Sequence, residues 1–440
     1  MRTVRFFFHL ISAFFSKFKG VLVFGIIIGI LFFYLFRFLV PILFTGTTQT
    51  IGVSGRYRTD ELPSFILQDI SQGLTKLNSA GTAEPDLASS WETPDKGKTW
   101  IFKLHDNLYW QDGKKVTSKT IVYQFSDVDI ETPDDQTIIF KLKEPFSPFP
   151  VVVSRPTFKT GLLGIGNWSV KKISIFGGFV EQLVIENDVK DKKIYKFFPT
   201  EERTKLAYKL GEVDKLISLY DPAPFNEWPT ALVSSFADES QVATLFFNTQ
   251  DKLLSEKSLR QALMYALKKD ELGDSRAISP VSSSSWAYNS QVKQYSYDPE
   301  KAKDIVDNLP DTLKEDLTVK LVSTPLLLPT AEKIAIFWDA IGIKTEVLVS
   351  SVIPNEFQVF LTIFDIPRDP DQYTLWHSTQ TTTNISNYAS PRIDKLLEDG
   401  RATLESEERK KIYLDFQRFL LEDSPAGFLY HPMHFEISRK

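Results

Sequence analysis

The stretch Glu84–Phe125, EPDLASSWETPDKGKTWIFKLHDNLYWQDGKKVTSKTIVYQF, decides the fold. It reads as short antiparallel strands joined by tight turns. TWIFKL at 99–104 alternates apolar and polar residues, the period of a strand with one face buried. HDN and QDG supply turn chemistry between the runs, and Gly113 is free to take positive φ. Trp91, Trp100 and Trp110 fall within this one segment and would bury large aromatic areas together. The residues by themselves give a tryptophan-rich β-meander.

Three phrases inside the stretch carry more. P-x-LA-x-SW, GKTW-x-FKL and W-x-DGK-x-VT, in this order, resemble the signature of family 5 extracellular solute-binding proteins, the oligopeptide- and nickel-binding components of ABC importers. In that family the helix after the Thr usually opens with Asp-Val; Thr120-Ile121 stand there in this chain. Further phrases extend the resemblance from about residue 62 to residue 432. ISQGLT at 70–75 matches the helix that precedes the meander, TIIFKLKEPFSPF at 137–149 the strand that follows it, LGEVD at 210–214 a helix end, and FNT with LRQALMYAL a strand and helix near 247–267. GIGNWSV at 164–170 stands for a Gly-Thr-Gly-Pro-Tyr run, with Asn167 and Trp168 departing from it. The resemblance implies an α/β, two-lobed periplasmic-binding-protein-like fold of type II, cluster C-like. Only about ten residues separate Phe125 from the strand at 137, so the accessory subdomain is expected to be reduced.

The N-terminus reads as a membrane segment. VLVFGIIIGILFFYLF at 21–36 carries no charge, and the apolar run resumes from Phe38 to Phe44 beyond Arg37. At about 1.5 Å per residue it is long enough to cross a hydrocarbon core of about 30 Å, and Arg37 can snorkel near its end. Arg2, Arg5, Lys17 and Lys19 precede it, which places the N-terminus in the cytoplasm. A cleaved signal would have a shorter apolar core and a small-x-small site, and PILFTGTTQT offers a poor one. The expectation is therefore an uncleaved single-pass anchor in the cell membrane of a bacterium, with residues 1–45 as cytoplasmic terminus and transmembrane helix and the remainder extracytoplasmic. FFFHLISAFF at 6–15 has room along the inner interface.

Composition narrows the rest. The 440 residues include no Cys, which excludes disulfides and the lipidated Cys that anchors most family members. Net charge is −5 with both signs interspersed, and no basic patch or tail invites nucleic acid. Runs such as DVKDKK at 188–193 read as solvated faces.

Along the chain, TQTIGVSG at 48–55 is expected as the first exported strand and residues 63–75 as a helix with Ile66, Ile70 and Leu74 on one face. Thr200 and Gly211 bracket a helix, and Asp298-Pro299 and Ser390-Pro391 start two more. LTVKLVS, the helix closed by Gly342, and IKTEVLVSS predict a parallel strand–helix–strand unit. PAGFLYHP reads as a strand returning to the first lobe. The lobes are drawn as 46–243, completed by 428–440, and 244–427, with the crossing near 243.

The candidate site is Asp365–Tyr388, DIPRDPDQYTLWHSTQTTTNISNY, because it follows a strand in an α/β lobe. It resembles the family's D-x-x-DP…HS…N-x-x-x-Y. In the peptide-binding branch an Asp just before the Asp-Pro pair takes the ligand's α-amino group, which a carboxylate satisfies physically. The resemblance assigns that role to Asp365, with Asp369 next in line. The spacing from Asp365 to Asp369-Pro370 is one residue longer than the family's, and either Asp also serves to shape a turn. Trp376 reads equally as a pocket wall and as core packing. Asn384 matches a ligand-facing position and is also a common turn residue, and Asn248 at the end of VATLFFNTQ shares that ambiguity.

Metal and catalysis find little support. The histidines are His9, His105, His377, His431 and His434, and His431-Pro-Met-His434 has no neighbouring acidic cluster. There is no G-x-S-x-G, no H-E-x-x-H and no G-x-x-x-x-G-K-[ST], so no enzyme activity or cofactor is called for and ATP hydrolysis would reside in a separate subunit. The expected function is capture of short peptides between hinged lobes by a monomer, for delivery to an ABC permease. The alternatives are another solute, such as a nickel chelate or a sugar, and a surface receptor or chaperone-like binder without transport. A hydrolase on the same scaffold comes third.

Overall fold

A computed structural model describes residues 17–21, 24–37, 46–314 and 317–440. Arg2, Arg5, the segment 6–15 and Phe38–Phe44 lie outside the described residues. Lys17–Arg37 is a helix with mean hydropathy 2.4 and no protein packed around it, the one among the described residues long and apolar enough to cross a membrane.

Two sheets organise the rest. The first has seven strands, in the order Ala231–Ala237, Met433–Arg439, Lys215–Leu219, Thr48–Ser54, Lys192–Phe198, Phe179–Asn187 and Trp168–Phe176. Thr48–Ser54 is parallel to both its neighbours; the other pairs are antiparallel. The second has six, in the order Ser275–Arg276, Ala426–His431, Gln241–Phe247, Val359–Asp365, Thr318–Ser323 and Lys344–Val349. The expected strand–helix–strand unit is present: Thr318–Ser323 and Lys344–Val349 are parallel, joined by the helix Leu328–Asp339 and a turn with Gly342 at φ +86°.

The chain passes between these sheets twice, at 238–240 and at Pro432. The first crossing is thus earlier than the sequence suggested. VATLFF lies wholly inside the second sheet because it pairs with Val359–Asp365 on one side and Ala426–His431 on the other. Ala426–His431 does not return to the first lobe either. Its apolar run is long enough to be buried in the second sheet, and Met433–Arg439 makes the return.

The quoted stretch supplies two strands, Ala88–Glu92 and Thr99–Leu104, of a separate four-stranded antiparallel sheet, which Thr137–Leu142 and Val128–Glu131 complete in that spatial order. Gly113 adopts φ +76° at its turn as expected. Trp100 and Trp110 are buried and Trp91 half-buried. Phe140 sits at the centre, with ring centroids 4.9 Å from Phe149, 5.7 Å from Phe102 and 6.1 Å from both Tyr123 and Phe125. The helix expected over 63–75 stops at Ile70. Gly164 and Gly166 press on that end so closely that a Cβ would stand 2.2 Å and 2.4 Å from the Ile70 and Asp69 carbonyl oxygens. Leu74 is still buried, but as the lead-in to the strand Thr75–Leu77.

The caps hold. Thr200 and Asp298 accept from the backbone N–H groups of Arg203 and Lys301, and Gly211 ends the first of these helices at φ +79°. Phe140→Ala should remove the keystone of the aromatic cluster at a cost of about 3–5 kcal/mol. Urea unfolding of the detergent-solubilised chain, followed by tryptophan fluorescence, measures it; a loss under about 1 kcal/mol would show a cluster that collapses around the gap.

Candidate functional site

The strand Val359–Asp365 outruns its parallel neighbour. The register ends at Ser323 opposite Leu361, and among the described residues no strand pairs with Thr362–Asp365 on that side. Its other side stays paired to Gln241, next to the first crossing between the sheets. The free edge and the crossing therefore meet at Asp365.

Asp365 is exposed, and Gln241 holds it. The Gln241 amide donates from Nε2 to Asp365 Oδ1 at 2.8 Å. Its Oε1 accepts from the Tyr220 hydroxyl at 3.2 Å and lies 3.3 Å from His434 Nε2. The chemistry fixes the protons: a carboxylate needs the NH2 side of the amide, which leaves Oε1 as a pure acceptor and requires the His434 proton on Nε2. The Tyr220 and His434 rings lie 4.6 Å apart. Burial lowers the His434 pKa, with Asp238 and Glu201 pulling part of the way back, so the ring is neutral at neutral pH. Burial, and then the Asp365 charge, push the Tyr220 hydroxyl up to about 12. Tyr220 is therefore a donor throughout the physiological range. Asp365 Oδ2 has no hydrogen-bond partner among the described residues. A carboxylate with one oxygen oriented and one uncommitted can take an ammonium, and an unpaired strand edge can take extended backbone.

Two recesses flank this junction. One, of about 210 Å³, is lined by Tyr220, Leu326, Ile363, Tyr430 and His431 among others. The other, of about 250 Å³, lies between Ser79–Gly81 on the first-sheet side and Ser282–Ser285 and Ile366–Arg368 on the second.

The other sequence candidates lie elsewhere. Asp369 is buried, and both its oxygens are taken by Arg409, at 2.9 Å and 2.6 Å. Burial works against the Arg409 charge, but Asp369 outweighs it and raises the guanidinium pKa. Trp376 is 1% exposed, stacks on Phe246 and donates to Gln372 Oε1 at 2.8 Å, so it packs the core. Asn384 is buried and clamps its own loop, donating to the Tyr388 carbonyl and accepting from the Tyr388 N–H. Asn248 bonds the Phe357 carbonyl and Asn387 at the far end of Gln241–Phe247, which at about 3.3 Å per residue is roughly 20 Å from Asp365. Gln241, Tyr220 and His434 were absent from the sequence-based set. Tyr220 had a signal, since it follows the strand Lys215–Leu219 directly, where open α/β sheets place their sites. Gln241 had none. No cluster of three or more His, Asp or Glu suited to a metal exists among the described residues.

Comparison with known proteins adds the context. The profile of the bacterial extracellular solute-binding proteins, family 5, matches residues 82–180 and 187–384. The dipeptide-binding protein of Escherichia coli K12 is 23% identical over 456 residues, covering 82% of this chain and 83% of its own. Among solved structures, NikZ from Campylobacter jejuni in complex with Ni(L-His) superposes with a TM-score of 0.73 at 22% identity, over 89% of this chain and 94% of that one. AppA from Bacillus subtilis in complex with a nonapeptide superposes with a TM-score of 0.69 at 18% identity, over 90% and 95%. At these identities the structural likeness carries the two-lobed α/β fold.

The geometry separates the two acidic candidates by experiment. Asp369→Asn leaves Arg409 buried without its partner and should cost about 3–5 kcal/mol of stability, whereas Asp365→Asn should cost less than about 1 kcal/mol. Chemical denaturation of both variants tests this; equal losses would contradict the assignment of Asp369 to an internal ion pair.

Proposed function

The chain belongs to the bacterial extracellular solute-binding proteins, family 5, and on that premise we propose that it captures short peptides between its lobes and passes them to an ABC permease driven by a separate ATPase. Proteins of this family bind solutes and are not enzymes. The observation that carries the peptide reading is Asp365, one oxygen held by Gln241 and the other free, at the end of a strand whose edge is unpaired. The carboxylate suits a peptide's ammonium, and the edge suits its backbone, which gives affinity without demanding one side chain. The dipeptide-binding relative supports the same reading. A nickel chelate is the second reading, favoured by the likeness to NikZ with Ni(L-His); a chelate supplies metal ligands of its own, so it needs no metal cluster in the protein.

The anchor belongs to the same proposal. The helix Lys17–Arg37 holds the protein at the outer face of the membrane, uncleaved, as a monomer beside its permease.

Calorimetry with a tripeptide, its N-acetyl form and Ni(L-His) tests the function. Asp365→Asn should weaken the free tripeptide about 30-fold or more, acetylation should weaken it similarly in the wild type, and the two losses should not add. If acetylation leaves wild-type affinity unchanged, the ammonium is not recognised, and tight Ni(L-His) binding would then favour the chelate. For the anchor, protease added to intact cells should cut beyond residue 45 while the intact chain fractionates with membranes. A soluble form beginning near residue 46 would show a cleaved signal instead.

A further inference from the structure

The chain enters its first sheet at a fastened point. Gly46 lies so close against the turn 187–191 that a Cβ there would stand 2.1 Å from the Lys190 carbonyl oxygen. The Thr47 N–H and hydroxyl both donate to Asp191 Oδ1, at 2.7 Å and 2.9 Å, and the Lys192 N–H donates to the Thr47 carbonyl at 2.8 Å. From Thr48 the strand runs between Lys192–Phe198 and Lys215–Leu219, with Ile51 and Val53 buried. Gly46 therefore belongs to the framework of the sheet. The apolar run of the N-terminus ends at Phe44, two residues earlier. As a helix, residues 21–36 rise about 24 Å, short of a hydrocarbon core of about 30 Å, so the apolar residues after Arg37 are needed to complete the span. Two residues reach at most about 7 Å, and the headgroup layer beyond the core is about 5–8 Å deep. Gly46 and the turn that holds it thus stand at the level of the headgroups.

Two exposed apolar side chains from different elements share this end of the sheet, on either side of the entry strand. Val189, 64% exposed, is in the turn itself. Leu210, 67% exposed, follows the helix Glu201–Lys209, which starts past the far end of Lys192–Phe198 and returns to this end, where the Asp214 N–H donates to the Thr50 carbonyl at 2.8 Å. Charge at the turn is balanced. Glu186 faces Lys190 at 3.3 Å, Lys192 at 3.4 Å and Lys171 at 3.9 Å, and Asp188 and Asp191 adjoin them. Such a surface suits zwitterionic headgroups as well as anionic ones. The candidate site is at the opposite end. Lys215 lies opposite Ile51, three positions above Thr48, and Tyr220 follows five positions later, roughly 25 Å along the sheet in all. The hairpin tip that carries Phe176, 75% exposed, is equally distant: Phe176 pairs with Phe179, eight residues and so roughly 25 Å from Asn187.

Resting on the uncleaved anchor proposed above, we infer that the first lobe stands on the outer surface of the bilayer by its 187–191 turn and Leu210, with the entry strand rising from the membrane and the Asp365 junction held roughly 25 Å above the headgroups. The partner of this surface is lipid, and the short tether, not charge, sets the pose. A tether of two residues leaves the first lobe fixed, so the second lobe is the one free to move relative to the membrane when the cleft opens.

The chain has no Cys, so single cysteines report position without background. Val189→Cys, Leu210→Cys and Phe176→Cys, each labelled with the fluorophore NBD, are placed as full chains in phosphatidylcholine nanodiscs with and without lipid spin-labelled at the headgroup. All three side chains are exposed, so the unfolding midpoints should match the wild type. The nitroxide should quench the labels at 189 and 210 about threefold or more above the label at 176, which stands roughly 25 Å farther from the surface. Exchanging phosphatidylcholine for phosphatidylglycerol should leave that ratio within about twofold; a difference seen only with the anionic lipid would show charge setting the pose. A Gly/Ser insert of about twelve residues between Phe44 and Thr45, with a mean reach of about 20 Å, should bring all three labels to the same weak quenching. A difference that survives the insert would remove the tether as its cause. Equal quenching of the three labels in uninserted chains that stay in the disc overturns the pose and leaves the anchor standing. Chains that leave the disc, or that begin near residue 46, overturn the anchor and this inference with it.

Discussion

One amide ties the two lobes together. Gln241 is the first residue of its strand in the second sheet, yet its Oε1 accepts from Tyr220 and faces His434, both carried by the first sheet, while its Nε2 holds Asp365 of the second. Every hydrogen-bonding position on that side chain but one N–H has a partner. Each such bond contributes about 0.5–1.5 kcal/mol net, and an amide stripped of them at a half-buried position would cost more than their sum suggests. The arrangement depends on charge state. A proton on His434 Nε2 is needed, and since burial lowers the pKa of the ring it is the neutral Nε2–H tautomer that supplies it. His434 Nε2 also lies 3.8 Å from Asp238 Oδ2, so that carboxylate stands beside the same donor. The orientation of Asp365 therefore depends on groups from three separate strands or strand ends.

Much of the fold was legible because it rests on local chemistry. Asp298-Pro299, Thr200, Gly211 and Gly113 do what their side chains or lack of them dictate within four residues, and the structure repeats the expected caps and turns. What local chemistry does not encode is which sheet a strand joins. VATLFF and AGFLYH are apolar enough to lie in the middle of either sheet, and only their partners, more than 100 residues away in each case, decide it. The site followed the same division. The position of Asp365 at a strand end was readable. The fate of Asp369 was not, because Arg409 comes from a helix 40 residues later and nothing in DPDQY announces it. Trp376 and Asn384 carried two readings each, and burial among Phe246, Phe428 and the 377–388 loop resolves where they pack.

The four-stranded sheet has a mechanical consequence. Its loop after Thr137–Leu142 reaches across to the second lobe. There the Ser147 N–H donates to the Arg401 carbonyl at 2.7 Å and the Ser147 hydroxyl to the Gly400 carbonyl at 3.1 Å. The Arg401 guanidinium lies 4.0 Å from the Tyr373 ring centroid and 5.2 Å from that of Phe146, and is fixed by Asp371 at 2.9 Å. With Trp286 on Ala80 and the Gln241 bonds, hydrogen bonds among the described residues join the two lobes at three separated places.

Opening the cleft would break contacts at some or all of these places. Hydrogen bonds at about 0.5–1.5 kcal/mol and cation–π contacts at about 0.5–2 kcal/mol, partly offset by rehydration of the separated groups, make that cost a few kcal/mol. A gap of that size leaves the open form populated at roughly 0.1–10%. A hinge biased in this way would close without its ligand, and apparent affinity would fall by the fraction of molecules open to entry. Such a bias would favour slow exchange of a ligand that fits over rapid sampling of many.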